Sequence, residues 1–274
     1  MQQIEEIYDS ARRPHPVVEE FLALVNNWDL VMLFISRSIK TRYKRSFLGV
    51  IWTMLNPILT TIVLSLVFTQ LFKFQIPNYP IYILSGLTAW VFFSSTTNQA
   101  MREIVFSGGL LSRIYVPKAA FVVSAIGTGL INLGFSLITV LIIALVLRAP
   151  FTWSLLALPF ATLLLSMFSL GTGLILAAAA VYFADIIPIY EVFTTIWMYA
   201  TPIIYPISII PKQWLGLFLL NPLYYLIDLF RLPMYQGTIP GWETWAIASV
   251  YSLATLIVGW YIFTVKAHEY AYRV

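Results

Sequence analysis

Cysteine is absent from this sequence of 274 residues, and charged side chains are scarce. Without cysteine the chain has no disulfide framework, no thiolate nucleophile and no cysteine-based metal site. Charged residues make up 10% of the chain and hydrophobic residues 60%, whereas soluble globular proteins average about 25% and about 45–50%. The charges are too few to solvate a globule of this size, and the abundant apolar surface excludes intrinsic disorder. A soluble enzyme is therefore excluded.

Motifs for catalysis and nucleotide binding are also missing. The sequence has no G-x-x-x-x-G-K-[ST] loop, so we do not expect the chain to bind ATP through a P-loop of its own. The two histidines, His15 and His268, lie in hydrophilic tails without paired ligands, which argues against a metal site. The apolar intervals contain no pair of carboxylates, whereas a proton-coupled carrier needs ionisable groups near the bilayer midplane. We expect no cofactor in this chain.

The sequence does contain six long intervals that are almost free of charge. Each holds at least the ~20 residues that cross a ~30 Å hydrocarbon core. Lipid offers no partner for an unpaired backbone group, and the intervals lack the alternation of a membrane barrel, so they predict helices. The expected fold is an all-α integral membrane protein with six transmembrane helices. Their expected positions are residues 48–72, 81–100, 118–147, 153–182, 187–206 and 244–265.

Lysine and arginine predict the orientation of these spans. Twelve of the sixteen precede span 1, lie between spans 2 and 3, or follow span 6. Loops rich in lysine and arginine stay in the cytoplasm. Both termini are therefore expected to be cytoplasmic.

Two segments do not fit a simple spanning pattern. Within residues 1–46, apolar residues recur every three or four positions from Val18 to Ile39. This spacing predicts an amphipathic helix in the cytoplasmic interface, and a seventh span is the alternative. Residues 207–242 are apolar but interrupted by four prolines. They predict a re-entrant helix pair on the outer side between spans 5 and 6, with an ordinary surface loop as the alternative.

Neutral polar and aromatic side chains replace charges within the spans. Aromatic rings stack on sugar rings, and amides hydrogen-bond hydroxyl groups without requiring a charge. A pathway lined by such groups suits a long neutral or weakly anionic glycan. For any single ring, an interfacial aromatic belt is the competing interpretation. The pathway candidates are Trp52 and Asn56 in span 1 and Tyr199 and Tyr205 in span 5.

Four short motifs resemble those of one transporter family. They are Arg42-Tyr43-Lys44-Arg45-Ser46-Phe47-Leu48-Gly49 with Trp52 and Asn56-Pro57, then Ser112–Pro117, then Thr201–Pro206, and finally Asn221-Pro222-Leu223 with Arg231. In this order and spacing they resemble the membrane permease subunits of type-2 ABC transporters that export polysaccharides. That family includes O-antigen export and teichoic acid translocation permeases, and the motifs do not separate these two branches. The resemblance covers essentially the whole chain and identifies residues 47–274 as the transmembrane domain.

The resemblance implies an exporter complex in a bacterial inner membrane. Two permeases would pair as a homodimer, chiefly through spans 1 and 5. Two separate ATPase subunits would dock beneath them and would bind ATP and Mg²⁺. The polysaccharide would move while attached to a lipid pyrophosphate carrier.

The resemblance also implies roles for particular residues. A cytoplasmic coupling segment at residues 101–117 would transmit closure of the ATPases, with Arg102, Glu103, Arg113 and Tyr115 as its candidate residues. Arg42, Lys44 and Arg45 stand where they could attract the lipid headgroup. Ordinary anchoring to anionic lipid, at ~1 kcal/mol per basic residue, is the competing role for these three.

Two other functions remain open at this point. An ABC permease for drugs or small lipids could use the same topology with a narrower pathway. A membrane-embedded glycosyl- or acyltransferase would need a carboxylate or histidine placed as general acid or base. The sequence shows no such group at a plausible depth, which disfavours the transferase.

Overall fold

The structure, a computed structural model, is mainly helical in the part of the chain that it describes. The described residues are 15–44, 49, 51–71, 73, 76–107 and 116–273. These ranges contain no strand, so the expected all-α class is confirmed. The helices are α1 (Pro16–Asn26), α2 (Trp28–Tyr43), α3 (Ile51–Leu66), α4 (Tyr79–Val105), α5 (Ala119–Val146), α6 (Leu158–Tyr182), α7 (Ile186–Tyr199), α8 (Lys212–Leu219), α9 (Pro222–Arg231), α10 (Trp242–Val265) and α11 (Tyr270–Arg273).

Several of these helices are long and apolar enough to cross a membrane. Among the described residues, four stretches qualify by length and composition: Ile51–Gln70, Ala119–Val146, Trp153–Tyr182 and Trp242–Val265. A fifth candidate is the pair α8 and α9, which together are apolar enough but are bent by 85°. The bend follows from Asn221-Pro222, because Asn221 Oδ1 caps α9 by accepting the backbone N–H of Leu223 at 3.1 Å. The protein is therefore a multi-pass membrane protein.

Helix α4 lies in the middle of the bundle. It packs against α3, α5, α6, α7 and α9, and its first half is almost completely buried. Aromatic side chains fill this part of the core: the Phe93 ring lies 5.5 Å from Phe168 and 5.3 Å from Trp197, measured between centroids. The helix contains more hydroxyl and amide side chains than its neighbours do, and the bundle buries Ser85, Thr88, Thr96 and Thr97 among them.

Helices α6 and α10 approach so closely that their backbones touch. A Cβ atom on Gly259 would lie 2.2 Å from the carbonyl oxygen of Gly171, and one on Gly171 would lie 2.4 Å from the backbone of Thr255. Only glycine permits this approach, which replaces side-chain packing with direct backbone contact.

The N-terminal segment forms two helices where the sequence predicts one. The break is at Asn27, whose Nδ2 donates to the Ala23 carbonyl at 2.8 Å and ends α1. Leu24 and Val31 are buried against the bundle, whereas the predicted apolar positions such as Met32 remain exposed. Buried Glu20 accepts the backbone N–H of Ala119 at 2.8 Å, which fixes α1 to the start of α5. We call the end of the bundle covered by α1 and α2 the basic end, and the other end the opposite end.

Helix α7 ends at Tyr199, although the predicted span extends to residue 206. Pro202 and Pro206 explain the early end, because proline lacks the N–H that a helix interior requires. Residues 200–206 form an irregular segment at the opposite end of the bundle.

Candidate functional site

One face of α4 carries a row of polar side chains towards the basic end. Its members are spaced four residues apart in two parallel series, which places them on one side of a helix. They are Ser94, Ser95, Asn98, Gln99, Arg102 and Glu103, and we call them the polar stripe. The Asn98 Nδ2 donates to the Ser94 carbonyl at 2.8 Å, while its buried Oδ1 has no partner within the described residues.

Three clefts meet along the polar stripe. The basic cleft, about 670 Å³, lies between α2 and α4 and is lined by Arg37, Arg42 and Arg102 among others. The amide cleft, about 370 Å³, lies among α2, α3, α4 and α5. The α7 cleft, about 290 Å³, lies between α4 and α7. Ser95 lines all three, so the clefts adjoin one another along α4, and we call them together the polar groove.

The amide cleft brings together the two pathway candidates of span 1. Trp52 and Asn56 both line it, and Trp52 is half exposed. The Tyr43 hydroxyl donates to Asn132 Oδ1 at 3.2 Å and lies 3.1 Å from Thr53 Oγ1, which joins α2, α3 and α5 behind the cleft. The cleft thus combines an indole, two amides and several hydroxyl groups, which suits a hydroxylated ligand.

The basic cleft concentrates positive charge at the entrance of the groove. Arg42 lines both this cleft and the amide cleft, and Lys44 lines an adjoining pocket along α2. Glu103 also lines the basic cleft and Arg102 is paired with Glu191, which leaves Arg37 and Arg42 to favour an anion such as a phosphate, because arginine binds phosphate through two parallel N–H groups. The third headgroup candidate, Arg45, lies outside the described residues.

Two of the coupling candidates connect α4 to its neighbours at the basic end. Arg102 forms an ion pair with Glu191 near the start of α7, and both side chains are about half exposed. The Glu103 carboxylate accepts the Ser38 hydroxyl of α2 at 3.4 Å and Gln99 Nε2 at 3.1 Å. The end of α4 is therefore held from both sides. The other two candidates, Arg113 and Tyr115, lie outside the described residues.

The pathway candidates of span 5 lie at the opposite end of α4. The Tyr205 hydroxyl donates to the Tyr199 carbonyl at 2.5 Å, and Tyr199 is 60% exposed. The backbone carbonyls of Ile204 and Tyr205 in turn accept hydroxyl groups from α4, namely Tyr79 at 2.7 Å and Tyr82 at 3.0 Å. The structure thus places the two predicted pairs at different depths along α4.

Sequence reasoning did not single out Arg37 or Ser95 as site residues. The available signal was the four-residue repeat of polar pairs, Ser94-Ser95 and Asn98-Gln99, which predicts a stripe once α4 is recognised as helical. Within the described residues no group of three or more His, Cys, Asp or Glu side chains could hold a metal ion.

Comparison with known proteins identifies the family. Residues 29–235 match the family described as ABC-2 type transporter. The match covers most of the chain, from the start of α2 to just beyond the end of α9. The chain belongs to the ABC-2 type transporter family. The matched region of this ABC-2 transporter includes the whole polar groove, because the residues that line the three clefts lie between Phe34 and Met198.

Named relatives of this ABC-2 transporter are permeases of polysaccharide export systems. The chain is 31% identical over 244 residues to the O-antigen export system permease protein RfbA of Myxococcus xanthus, covering 88% of this chain and 94% of the relative. It is 26% identical over 235 residues to the polysialic acid transport protein KpsM of Escherichia coli, covering 81% and 88%. It is 25% identical over 244 residues to the capsule polysaccharide export inner-membrane protein BexB of Haemophilus influenzae, covering 84% and 88%.

Proposed function

We propose that this chain is the channel-forming permease subunit of an ATP-driven exporter. Its substrate would be a lipid-linked polysaccharide of the O-antigen type, moved from the cytoplasm across the bacterial inner membrane. The observation that carries the proposal is the polar groove that three adjoining clefts form along α4. The relatives that are named for O-antigen or capsule export support the substrate class.

The lining of the groove fits a polymer better than a small ligand. A long glycan needs many weak contacts and no deep binding minimum, since each sugar must leave the position that the next one enters. Trp52 offers a stacking surface, and Asn56, Asn132 and Ser95 offer neutral hydrogen-bonding groups. Each contact contributes roughly 1 kcal/mol or less after the loss of sugar hydration. Such a lining binds a glycan without trapping it.

The proposed topology has six spans with both termini in the cytoplasm. Helix α4, shielded by the bundle, and α7 with residues 200–206 would be the second and fifth spans, beside the four more apolar ones. The basic end would then face the cytoplasm, in agreement with the distribution of lysine and arginine. Helices α1 and α2 would lie in the cytoplasmic interface with exposed Val18, Phe21 and Met32 in lipid. The bent pair α8 and α9 would be re-entrant from the outer side.

The proposed assembly is a homodimer of permeases with two ATPase subunits. The permease sequence lacks a P-loop, so ATP and Mg²⁺ would be bound by the partner ATPase. Pairing through spans 1 and 5 would cover exposed apolar side chains on α3 and α7, such as Val63 and Ile196. The second permease would complete the wall of the groove.

Specific residues would receive the carrier lipid and transmit the ATPase motion. Arg42 and Lys44, with Arg45, would attract the pyrophosphate headgroup at the entrance of the groove. Arg102 and Glu103, with Arg113 and Tyr115, would couple ATPase closure to α4. The ion pair and hydrogen bonds of Arg102 and Glu103 support this, since they connect α4 to two neighbouring helices.

Introduced cysteines test the pathway, and the absence of native cysteine makes the experiment clean. Single cysteines replace Trp52, Asn56, Tyr199 and Tyr205 in the permease reconstituted with its ATPase and a lipid-linked polysaccharide. We expect these positions to react with a water-soluble thiol reagent during ATP turnover. Leu163→Cys on the exposed apolar face of α6 is the matched control and should stay unreactive. If none of the four reacts, the proposed pathway is wrong.

A further inference from the structure

The guanidinium of Arg231 is buried at the opposite end of the bundle. The residue is only 6% exposed, and its Cζ lies 4.1 Å from the centroid of the Tyr82 ring. Its Nη2 donates to the Ile203 carbonyl at 3.0 Å, and its Nη1 lies 3.7 Å from Asp228 Oδ1. Burying a cation costs free energy unless its partners compensate. The Ile203 carbonyl, the Tyr82 ring and Asp228 compensate part of this cost, while the Arg231 Nε has no partner within the described residues.

The segment that Arg231 contacts is fixed by side chains in place of helical hydrogen bonds. Three consecutive carbonyl oxygens of the irregular segment 200–206 each accept from a different side chain: Ile203 from Arg231, Ile204 from Tyr79 and Tyr205 from Tyr82. Tyr82 also provides the ring beneath the guanidinium, so Arg231 and the two tyrosines act on the segment as one group. Asn221 adds a bond from its Nδ2 to Thr201 Oγ1 at 2.8 Å.

A glycine on α4 provides the space that this arrangement requires. A Cβ atom on Gly86 would lie 2.7 Å from Arg231 Nη2 and 3.3 Å from Ile203 Cγ2. Any side chain at residue 86 would therefore push the guanidinium away from the Ile203 carbonyl. Gly86 follows Tyr82 by one helical turn, so both contacts with Arg231 come from the same face of α4.

We propose that Arg231 is a positioning residue that holds segment 200–206 against α4 and thereby orients Tyr199 and Tyr205 at the opposite end of the groove. The orientation of Tyr199 and Tyr205 for a transported glycan rests on the proposed export function. Loss of the Arg231 contact should release the segment while the core of α4, α5 and α6 stays folded.

The test uses a cysteine in the segment as a reporter of release. Ile204→Cys is the reporter, because the Ile204 side chain is only 6% exposed. Leu165→Cys in the core of α6, at 0% exposure, reports global unfolding. The purified permease in detergent is treated with a water-soluble maleimide without ATP or polysaccharide, so the outcome does not depend on the transport assay.

We expect Arg231→Gln and Gly86→Ala to raise the labelling rate of Ile204→Cys about tenfold, which corresponds to about 1.4 kcal/mol in the opening equilibrium. Leu165→Cys should stay unreactive in both backgrounds. Gly134→Ala is the matched glycine control, since a Cβ there meets nothing within 4 Å. Arg231→Lys, which keeps a charged donor, should protect the reporter partly. If Arg231→Gln does not accumulate, Gly86→Ala decides alone, because it keeps the arginine.

Two results would overturn the proposal. In one, the reporter labels at the original rate in the Arg231→Gln and Gly86→Ala proteins. In the other, both reporters become reactive together, which would make Arg231 a general stability residue. In reconstituted complexes with ATPase, the released variants should hydrolyse ATP but export less polysaccharide per ATP. If the unmodified complex exports no polysaccharide, the proposed function fails, while the labelling result still decides the role of Arg231.

Discussion

Most buried hydroxyl groups of this protein bond to a carbonyl of their own helix, as Thr88 does to Leu84 at 2.7 Å, but a few polar side chains bond to the backbone of another segment. Glu20 accepts the N–H of Ala119, Trp260 Nε1 donates to the Val17 carbonyl at 3.2 Å, and the Tyr270 hydroxyl donates to the Phe263 carbonyl at 2.9 Å. The Ala119 N–H at the start of α5 and the Phe263 carbonyl near the end of α10 lack helical partners, and these side chains supply them. The Trp260 bond connects α10 to α1. A few polar side chains therefore fix the junctions of a bundle that is otherwise held by apolar packing.

Glu20 leads to a prediction about pH. Burial raises the pKa of the Glu20 carboxyl above its ordinary value of 4.5, and the Ala119 N–H and the charge of Lys118 only partly offset this rise. The folded protein thus binds this proton more tightly than the unfolded chain does. The resulting stabilisation is present below pH 4.5 and is lost as the pH rises through the raised folded-state pKa.

We expect Glu20→Gln to abolish the loss of stability with rising pH, because the amide keeps an acceptor for the Ala119 N–H and cannot ionise. Glu20→Ala should destabilise by about 1–3 kcal/mol, since it leaves that N–H unsatisfied. Thermal unfolding in detergent from pH 4.5 upwards measures both effects, with Glu19→Gln as the neighbouring, less buried control. Parallel pH profiles for the original protein and Glu20→Gln would contradict the prediction.

At the scale of elements, α4 connects the two ends of the molecule. Its first half forms the aromatic core and anchors segment 200–206, and its second half carries the polar stripe. Its last turn contacts α2 through Glu103 and α7 through Arg102. A displacement of α4 at the basic end would therefore move both walls of the groove.

The ion pair between Arg102 and Glu191 can be tested by exchanging its charges. Arg102→Glu or Glu191→Arg alone sets like charges against each other and should lower polysaccharide exported per ATP hydrolysed. The double variant should restore much of that ratio. Both side chains are about half exposed, so the pair contributes only ~0.2–1 kcal/mol to stability and the protein level should hardly change.

The control for the exchange is Lys212→Glu, which reverses the charge of an exposed side chain on α8 at the opposite end of the bundle. Export and ATP hydrolysis are measured on the same reconstituted complex. A double variant that exports no better than the single variants would show that the charge pair is not the coupling contact.

At the scale of the whole molecule, the sequence predicts the helices better than their contacts. Four of the six charge-free intervals coincide with helices long enough to span, because lipid forces the backbone of an apolar segment to bond internally. The two other intervals form α4, which is more polar and shielded by the bundle, and α7, which ends early before Pro202. The break at Asn27 was missed because the apolar spacing continues across it.

The sequence suggested candidate residues for the site and not their arrangement. Trp52 and Asn56 line one cleft, and their role in a pathway stays a prediction. Arg42 was expected to attract a lipid headgroup or to anchor the chain to anionic lipid, and it lines both the basic and the amide clefts. The contact between Gly86 and Arg231 joins residues far apart in the chain, and helical periodicity carries no information about such a pair.

Export by the permease and its ATPase can be measured in a reconstituted system. The purified permease and its partner ATPase are placed in liposomes, and the movement of a lipid-linked polysaccharide across the bilayer is measured with and without ATP. The account predicts that the permease alone hydrolyses no ATP, and that transport requires both subunits and ATP. Transport by the permease without the ATPase, or ATP hydrolysis by the permease free of other subunits, would contradict it.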